Sequence, residues 1–429
     1  MPAHYRHWEK LDNTANIFPV IADESMTNTY RIEACLTETI QKELLQEALD
    51  LVLPKFPGFD LRLRVGIFWY YLEENGKPAP RVHEEDTYPC RLIRRNKNNS
   101  YMFRVTYYKK RINLEVFHAL ADGMGGTVFL RELCYQYLRL SHPDLRQKLG
   151  DGLSPETSLN REDSFKAYFR KSAPISYKSQ RAFLIQGEKL PFHGFGVIHG
   201  MMSVSELKTM TKQNYGVTIN EYLVSTFIYS TFLHFGRRVS QKRPIRVAVP
   251  VNLRPFFGSI TTKNFFVMVS AEFVPESSDT EYTFADICQI VRKSLKSQIT
   301  KEHLEEIFSY SVAKEDIFIA RAVPLPFKNM VMRLIYTKSA LANTTTVTNV
   351  GNISVLPDYQ EYIQMFRGFI PFSKGQSLKA TIMSYQDTLC CTFTSAFRDT
   401  SIPKDVFRQL ARDGISVRIE TNGVYGNLV

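Results

Sequence analysis

The sequence predicts an α/β (α+β) protein built in two halves. Strand-like and helix-like segments alternate along nearly all of its 429 residues. A polar stretch at 142–180, dotted with Pro and Gly, separates two such series, so the halves are expected at 1–175 and 176–429. Hydrophobic content of 44% and aromatic content of 13% supply enough apolar surface for well-buried cores.

In the first half, TYRIEACL (29–36) reads as a strand. Ile40, Leu44, Leu45, Ala48, Leu51 and Val52 then recur at helical spacing, and Pro54 closes that helix. DLRLRVGIFWYYLEE (60–74) alternates and then turns continuously apolar, which predicts a strand entering the middle of a sheet. YMFRVTYYKKRINLEVFHAL (101–120) predicts two strands with Lys109–Arg111 at the tip, and GMGGTVFLRELCYQYLRL (123–140) a helix.

The second half opens with a strand, GFGVIHGMMS (194–203), followed by helices at SVSELKTMTKQ (203–213) and TINEYLVSTFIYSTFLHFG (218–236). Thr218 or Asn220 suits the N-cap of the latter and Gly236 its C′ stop. IRVAVPVNL (245–253) and FFVMVSAEF (265–273) read as buried strands, and TFADICQIVRKSLKSQITKEHLEEIFSY (283–310) as one long amphipathic helix. Strands follow in TTTVTNVGNIS (344–354), YIQMFRGFI (362–370) and SLKATIMSYQDTLCCTFTSAF (377–397), and a helix in IPKDVFRQLARDGISVRI (402–419) ends the chain.

Composition narrows the function classes. The opening MPAHYRHWEKLDN lacks the apolar region of a secretory signal, and no apolar run approaches the roughly 20 residues that span a bilayer. Six cysteines show no CxxC and no metal spacing; reduced thiols in a cytoplasm are expected, with Cys390 and Cys391 on opposite faces of one strand. The net charge of +11 gathers in RLIRRNK (91–97), KKR (109–111) and RRVSQKRPIR (237–246). It suits cofactor phosphates, an acidic carrier protein or an anionic lipid surface, or simply a solvated face. No nucleic-acid partner is expected, because no basic-aromatic platform or recognition motif is present.

Chemistry concentrates at FHALADG (117–123). Of nine histidines, His118 alone has Asp at +4 and Gly at +5. One reading is structural: Asp122 caps the following helix and His118 is satisfied in the core. The other is catalytic. A neutral imidazole beside a channel can take a proton from an alcohol or amine attacking a carbonyl, while Asp122 organises the loop, best through an Arg from elsewhere. Gly123, Gly125 and Gly126 would let ligand or backbone approach closely.

HALADG resembles the HxxxDG motif of the superfamily sharing the chloramphenicol acetyltransferase fold, which includes BAHD acyltransferases, wax-ester synthases, peptide-synthetase condensation domains and alcohol acetyltransferases. VPVNLRPFFGSITTKNFF (250–267) resembles the segment that supplies an Arg to the motif's Asp. TVTNVGNIS (346–354) resembles the SNxG-like stretch on the opposite channel wall, and WEKLDNTANIFP the start of bacterial alcohol-acetyltransferase-like proteins. The resemblance implies two chloramphenicol-acetyltransferase-like sandwich halves around a central active-site channel. His118 would be the general base, Asp122 a structural carboxylate paired with Arg254, and Gly123 the residue of a tight turn. Asn264, Thr348, Asn349 and Gly351 would line the acyl or acceptor side.

The implied activity is O-acyl transfer, or less simply N-acyl transfer, from a thioester to a small-molecule alcohol or amine. Acyl-CoA is the expected co-substrate, with acyl-carrier protein as the alternative donor, no permanent cofactor and no metal. A non-catalytic ligand-binding relative, or an enzyme in peripheral contact with a membrane, would use the same channel. The BAHD signature DFGWG is absent, and Phe117 stands where condensation domains carry the first of two His. Neither GxSxG, GxGxxG nor a P-loop occurs, and His193 and His199 are poorly spaced for a metal.

Overall fold

Among the described residues the alternating patterns close into three sheets. The structure, a computed structural model, describes residues 7–171, 180–191, 194–277, 280–315 and 323–425. His193 and the expected boundary at 175/176 lie outside the described residues. In chain order the strands begin with β1 (Trp8–Lys10), β2 (Thr29–Leu36), β3 (Leu61–Val65), β4 (Tyr70–Glu74) and β5 (His83–Glu84). β6 (Phe103–Tyr108), β7 (Arg111–Phe117), β8 (Gly196–Ser203), β9 (Ile245–Asn252) and β10 (Phe266–Phe273) follow. β11 (Thr345–Asn352), β12 (Ile363–Phe369), β13 (Leu378–Tyr385), β14 (Thr388–Ser395) and β15 (Arg418–Thr421) complete the set.

A five-stranded sheet runs β12-β2-β7-β6-β5, a seven-stranded sheet β10-β9-β11-β13-β14-β8-β15, and a small sheet β1-β4-β3. β12, from late in the chain, pairs antiparallel with β2 from the start, Phe366 opposite Ala34 and Gly368 opposite Ile32. The second half therefore completes the sheet of the first. Each large sheet carries its own apolar core, one around Phe56, Phe59, Phe103 and Phe129, the other around Phe227, Phe273 and Phe393. This is a mixed α/β fold in two halves joined through a shared sheet.

The longest apolar run forms the helix Ile219–Phe235, buried on all sides from Tyr222 to Ile228. Three of its hydroxyls are satisfied within the helix: Ser225 donates to the Glu221 carbonyl at 2.7 Å, Thr226 to the Leu223 carbonyl at 2.8 Å and Thr231 to the Phe227 carbonyl at 2.8 Å. Thr218 and Glu221 form a capping box.

Four expectations are corrected. Residues 60–74 form the hairpin β3–β4 and not a strand within a large sheet: Gly66 donates to the Trp69 carbonyl at 2.9 Å, and the apolar run Ile67–Trp69 is its exposed tip. Gly236 has φ −50° and continues into a 3-10 turn, so it is no left-handed stop. The single long helix breaks into Phe284–Gln298 and Lys301–Glu315, with Ile299 out of helical geometry. The last element among the described residues is β15 and not a helix, after the helix Ser401–Arg412. As expected, Cys390 and Cys391 enter different clusters.

Candidate active site

β7 delivers His118 to the seam between the halves. Immediately after the strand the chain turns, and Asp122 caps the helix Gly123–Ser141 by accepting from the Gly125 N–H at 3.0 Å. The same carboxylate takes both terminal nitrogens of Arg254, at 2.9 and 3.0 Å, and the Phe265 N–H at 3.1 Å. Capping and pairing are thus one arrangement, and none of these contacts involves His118. Arg254 also donates to the carbonyls of Thr261 and Lys263 at 2.8 and 2.6 Å, which folds the loop after β9 back under the motif. Residues 132 apart in sequence are clamped across the seam.

That loop carries Asn264 beneath the imidazole. Its Nδ2 donates to Asp12 Oδ2 at 2.9 Å and to the His118 carbonyl at 3.2 Å, so its Oδ1, 2.9 Å from His118 Nδ1, must act as acceptor. The network therefore assigns the proton to Nδ1 and leaves the Nε2 lone pair free. Phe18 stacks on the ring at 4.4 Å, while Tyr30 and Phe266 stand at 5.1 and 5.6 Å. The His118 N–H is tied to the Asn28 carbonyl at 2.9 Å.

Burial lowers the His118 pKa from its ordinary 6.5; the Asp122 charge opposes the shift and Lys379 adds to it. Asp12 is pushed the other way, to about 7, because it too is buried. The signs decide the pH response. Neutral His118 contributes stability that is complete above pH 6.5 and is lost as pH falls through its folded value. Protonated Asp12 contributes stability that is complete below pH 3.8 and is lost as pH rises through about 7. If His118 is the base, the acid limb of kcat/KM falls below pH 6.5. A pH–rate profile with its acid limb above that value would contradict the assignment.

A cavity of about 120 Å³ opens beside the ring, lined by His118, Gly123, Pro250, Phe266, Thr348, Asn349 and Thr381 among others. It draws on both halves. Thr348 and Asn349 line it as expected. Asn264 does not; it holds the imidazole from behind. Gly351 does not either: it occupies the β11 bulge at φ +94°, its N–H donating to Asn349 Oδ1 at 2.9 Å. Gly123 is helical, and a Cβ there would meet only Val350 at 3.7 Å, so no tight turn requires it. The need for a small residue falls on Gly125 and Gly126, whose Cβ atoms would come within 2.2 Å of the Thr262 carbonyl oxygen and 2.5 Å of the Tyr30 hydroxyl.

Three contributors escaped the sequence reading. Asp12 lies in the WEKLDN opening that carried part of the resemblance, yet no spacing links it to Asn264, 252 residues away. Thr381 on β13 lines the cavity, and its buried hydroxyl has no hydrogen-bond partner among the described residues. Lys379, two residues earlier, is buried, donates to the Ser373 hydroxyl, and has its pKa lowered to about 7 by that burial. Ser373 opens onto a larger cavity of about 660 Å³, which lies beyond Phe369 and is also lined by Cys90 and Phe372. Among the described residues, no group of three or more His, Cys, Asp or Glu could hold a metal, and no helix is long and apolar enough to cross a membrane.

Solved structures of other proteins have a similar fold. F. graminearum TRI101 complexed with ethyl coenzyme A is 12% identical over 96% of this chain and 99% of its own, with a TM-score of 0.61. The fold is shared. TRI3 trichothecene 15-O-acetyltransferase from Fusarium sporotrichioides is 11% identical over 96% of this chain and 97% of its own, with a TM-score of 0.58. The condensation domain from the Monacolin K polyketide synthase MokA is 8% identical over 95% of this chain and 96% of its own, with a TM-score of 0.55. No protein-family model matches the chain, and no curated protein matches it in sequence. At these identities the likeness is one of fold, seen across acetyltransferases and a condensation domain alike.

Proposed function

We propose that the chain is an acyltransferase that moves an acyl group from a thioester, acyl-CoA, to the hydroxyl of a small-molecule alcohol. One observation carries this reading: His118 is held by Asn264 through Nδ1 and faces a cavity shared by both halves, with Nε2 free. The acceptor hydroxyl gives its proton to Nε2 as its oxygen attacks the thioester carbonyl. The C–O bond forms, and the carbonyl electron pair moves to oxygen. Collapse breaks the C–S bond, and the imidazolium returns the proton to the departing CoA thiolate. No covalent acyl-enzyme and no resident cofactor enter this sequence. Asp122 and Arg254 hold the loop without touching the reacting atoms.

The oxyanion needs a donor from the second half, and Thr381 is the candidate: it lines the cavity, and its buried hydroxyl has no partner among the described residues. Thr381→Val, which removes the hydroxyl and keeps the shape, is expected to lower turnover by on the order of 10²–10³-fold with little change in KM. A turnover equal to wild type would remove Thr381 from the reaction. The six cysteines, all buried free thiols, suit a cytoplasmic setting.

The test is free-thiol release from acetyl-CoA and longer acyl-CoAs against a panel of alcohols and amines. Alcohol-dependent release supports O-acyl transfer, and release with amines alone would reassign the acceptor. Release only from a carrier-protein thioester would favour the condensation-like reading. No release from any donor, with ligand binding retained, would leave a non-catalytic binding protein.

A further inference from the structure

The helix Leu325–Ala340 faces the wrong way for a soluble protein. Phe327, Met330, Val331, Leu334 and Ile335 recur at i, i+3, i+4, i+7 and i+8, the stripe that ordinarily packs on a core. Here each is 50–63% exposed. Beside it lies the tip of the β3–β4 hairpin, with Val65, Ile67, Phe68 and Trp69 at 36–74% exposure, and Trp8 of β1 at 55%. The Leu325 N–H donates to the Ile67 carbonyl at 2.9 Å, Lys328 Nζ to the Phe68 carbonyl at 2.8 Å and Asn329 to the Tyr70 hydroxyl at 2.9 Å, which joins helix and hairpin into one platform. An exposed apolar surface this continuous marks an interaction site.

Its chemistry points to one occupant. The helix carries Lys328, Arg333 and Lys338 and no acid; Lys10 stands 5.5 Å over the Trp69 ring, and Arg64 flanks the hairpin. Glu73, the nearest acid on the hairpin, is engaged by Arg62 and Arg64. Apolar stripe, cationic flanks and tryptophans at the rim match the layers of an anionic membrane surface, where acyl chains meet headgroups. The platform also adjoins the active site. Arg333 donates to the Val20 carbonyl at 2.8 Å, and Phe18, in the same short helix, stacks on His118.

We propose that this platform docks the protein onto an anionic lipid surface, so that a substrate with a long apolar tail reaches the His118 cavity from the membrane. The route to His118 rests on the acyl-transfer reading; the docking does not.

Both tryptophans of the chain, Trp8 and Trp69, lie in the platform, so its insertion is read directly from intrinsic emission. Wild type is mixed with vesicles of phosphatidylserine and phosphatidylcholine, then with phosphatidylcholine alone, at low and high salt. The expected result is a blue shift and co-sedimentation with the anionic vesicles, weakened by salt. A double variant, Leu334→Asp with Ile335→Asp, should bind at least roughly tenfold more weakly. Its thermal midpoint and its turnover of a water-soluble acceptor should match wild type. Three results would overturn the proposal: wild type that stays in the supernatant, a double variant that sediments equally, or a concentration-dependent dimer that the variant abolishes, which would assign the face to a second copy. Vesicle binding by a protein that turns over no acceptor would leave the docking intact and remove the catalytic reading instead.

Discussion

His118→Ala is expected to lower turnover by roughly 10²–10⁴-fold while the protein stays folded. Asn264 holds Nδ1 of the imidazole and Phe18 covers one face, which fixes the ring and leaves Nε2 with its lone pair. Removing it takes away the proton acceptor but leaves the thioester and acceptor contacts in place, so the loss should fall on kcat and not on KM. The thermal midpoint should hold, because the main-chain bond from His118 to the Asn28 carbonyl survives the substitution. Steady-state kinetics on the purified variant decide this. Activity within a few-fold of wild type would sink the mechanism.

Asp122→Asn is expected to fail differently, with stability and activity falling together. The carboxylate accepts from Gly125, from Phe265 and twice from Arg254, all in a buried site. An amide replaces one acceptor oxygen with a donor, which would then face Arg254 or the Phe265 N–H. Breaking a buried pair from one side costs about 3–5 kcal/mol. A fall of about 3–6 °C in thermal midpoint should follow. Arg254 would lose its anchor, the loop carrying Asn264 would loosen, and His118 would lose its orientation. A variant with wild-type stability would show that the clamp across the seam carries little energy.

Much of this was legible in the chain, for a physical reason. The strand Arg111–Phe117, the turn and the helix cap are local, so His118 and Asp122 fall together from spacing alone. Arg254 is not local, and only the likeness of its segment to a known one assigned it to Asp122. Asp12, Asn264 and Thr381 come together through tertiary packing, which leaves no mark in local periodicity. The misread elements share a cause as well. The run Ile67–Trp69 is apolar because of what it presents to the outside, whereas a periodicity argument assumes that apolar means buried. The break near Ile299 carries neither Gly nor Pro; its one local mark is Thr300, which caps the second helix by accepting from the His303 N–H at 3.3 Å. The pairing of β12 with β2 depends on the chain returning from the other half, beyond the reach of any local pattern.

In the proposed transfer His118 acts as a base and not as a nucleophile. The most direct test is the intact mass of the protein after rapid acid quench from acyl-CoA alone, in a sample that releases thiol once acceptor is added. The expected result is an unmodified mass before the acceptor arrives, with the acyl group found only on the acceptor afterwards. A protein heavier by one acyl group in the donor-only sample, absent from His118→Ala, would mean that the imidazole itself carries the acyl group, and direct transfer would be wrong.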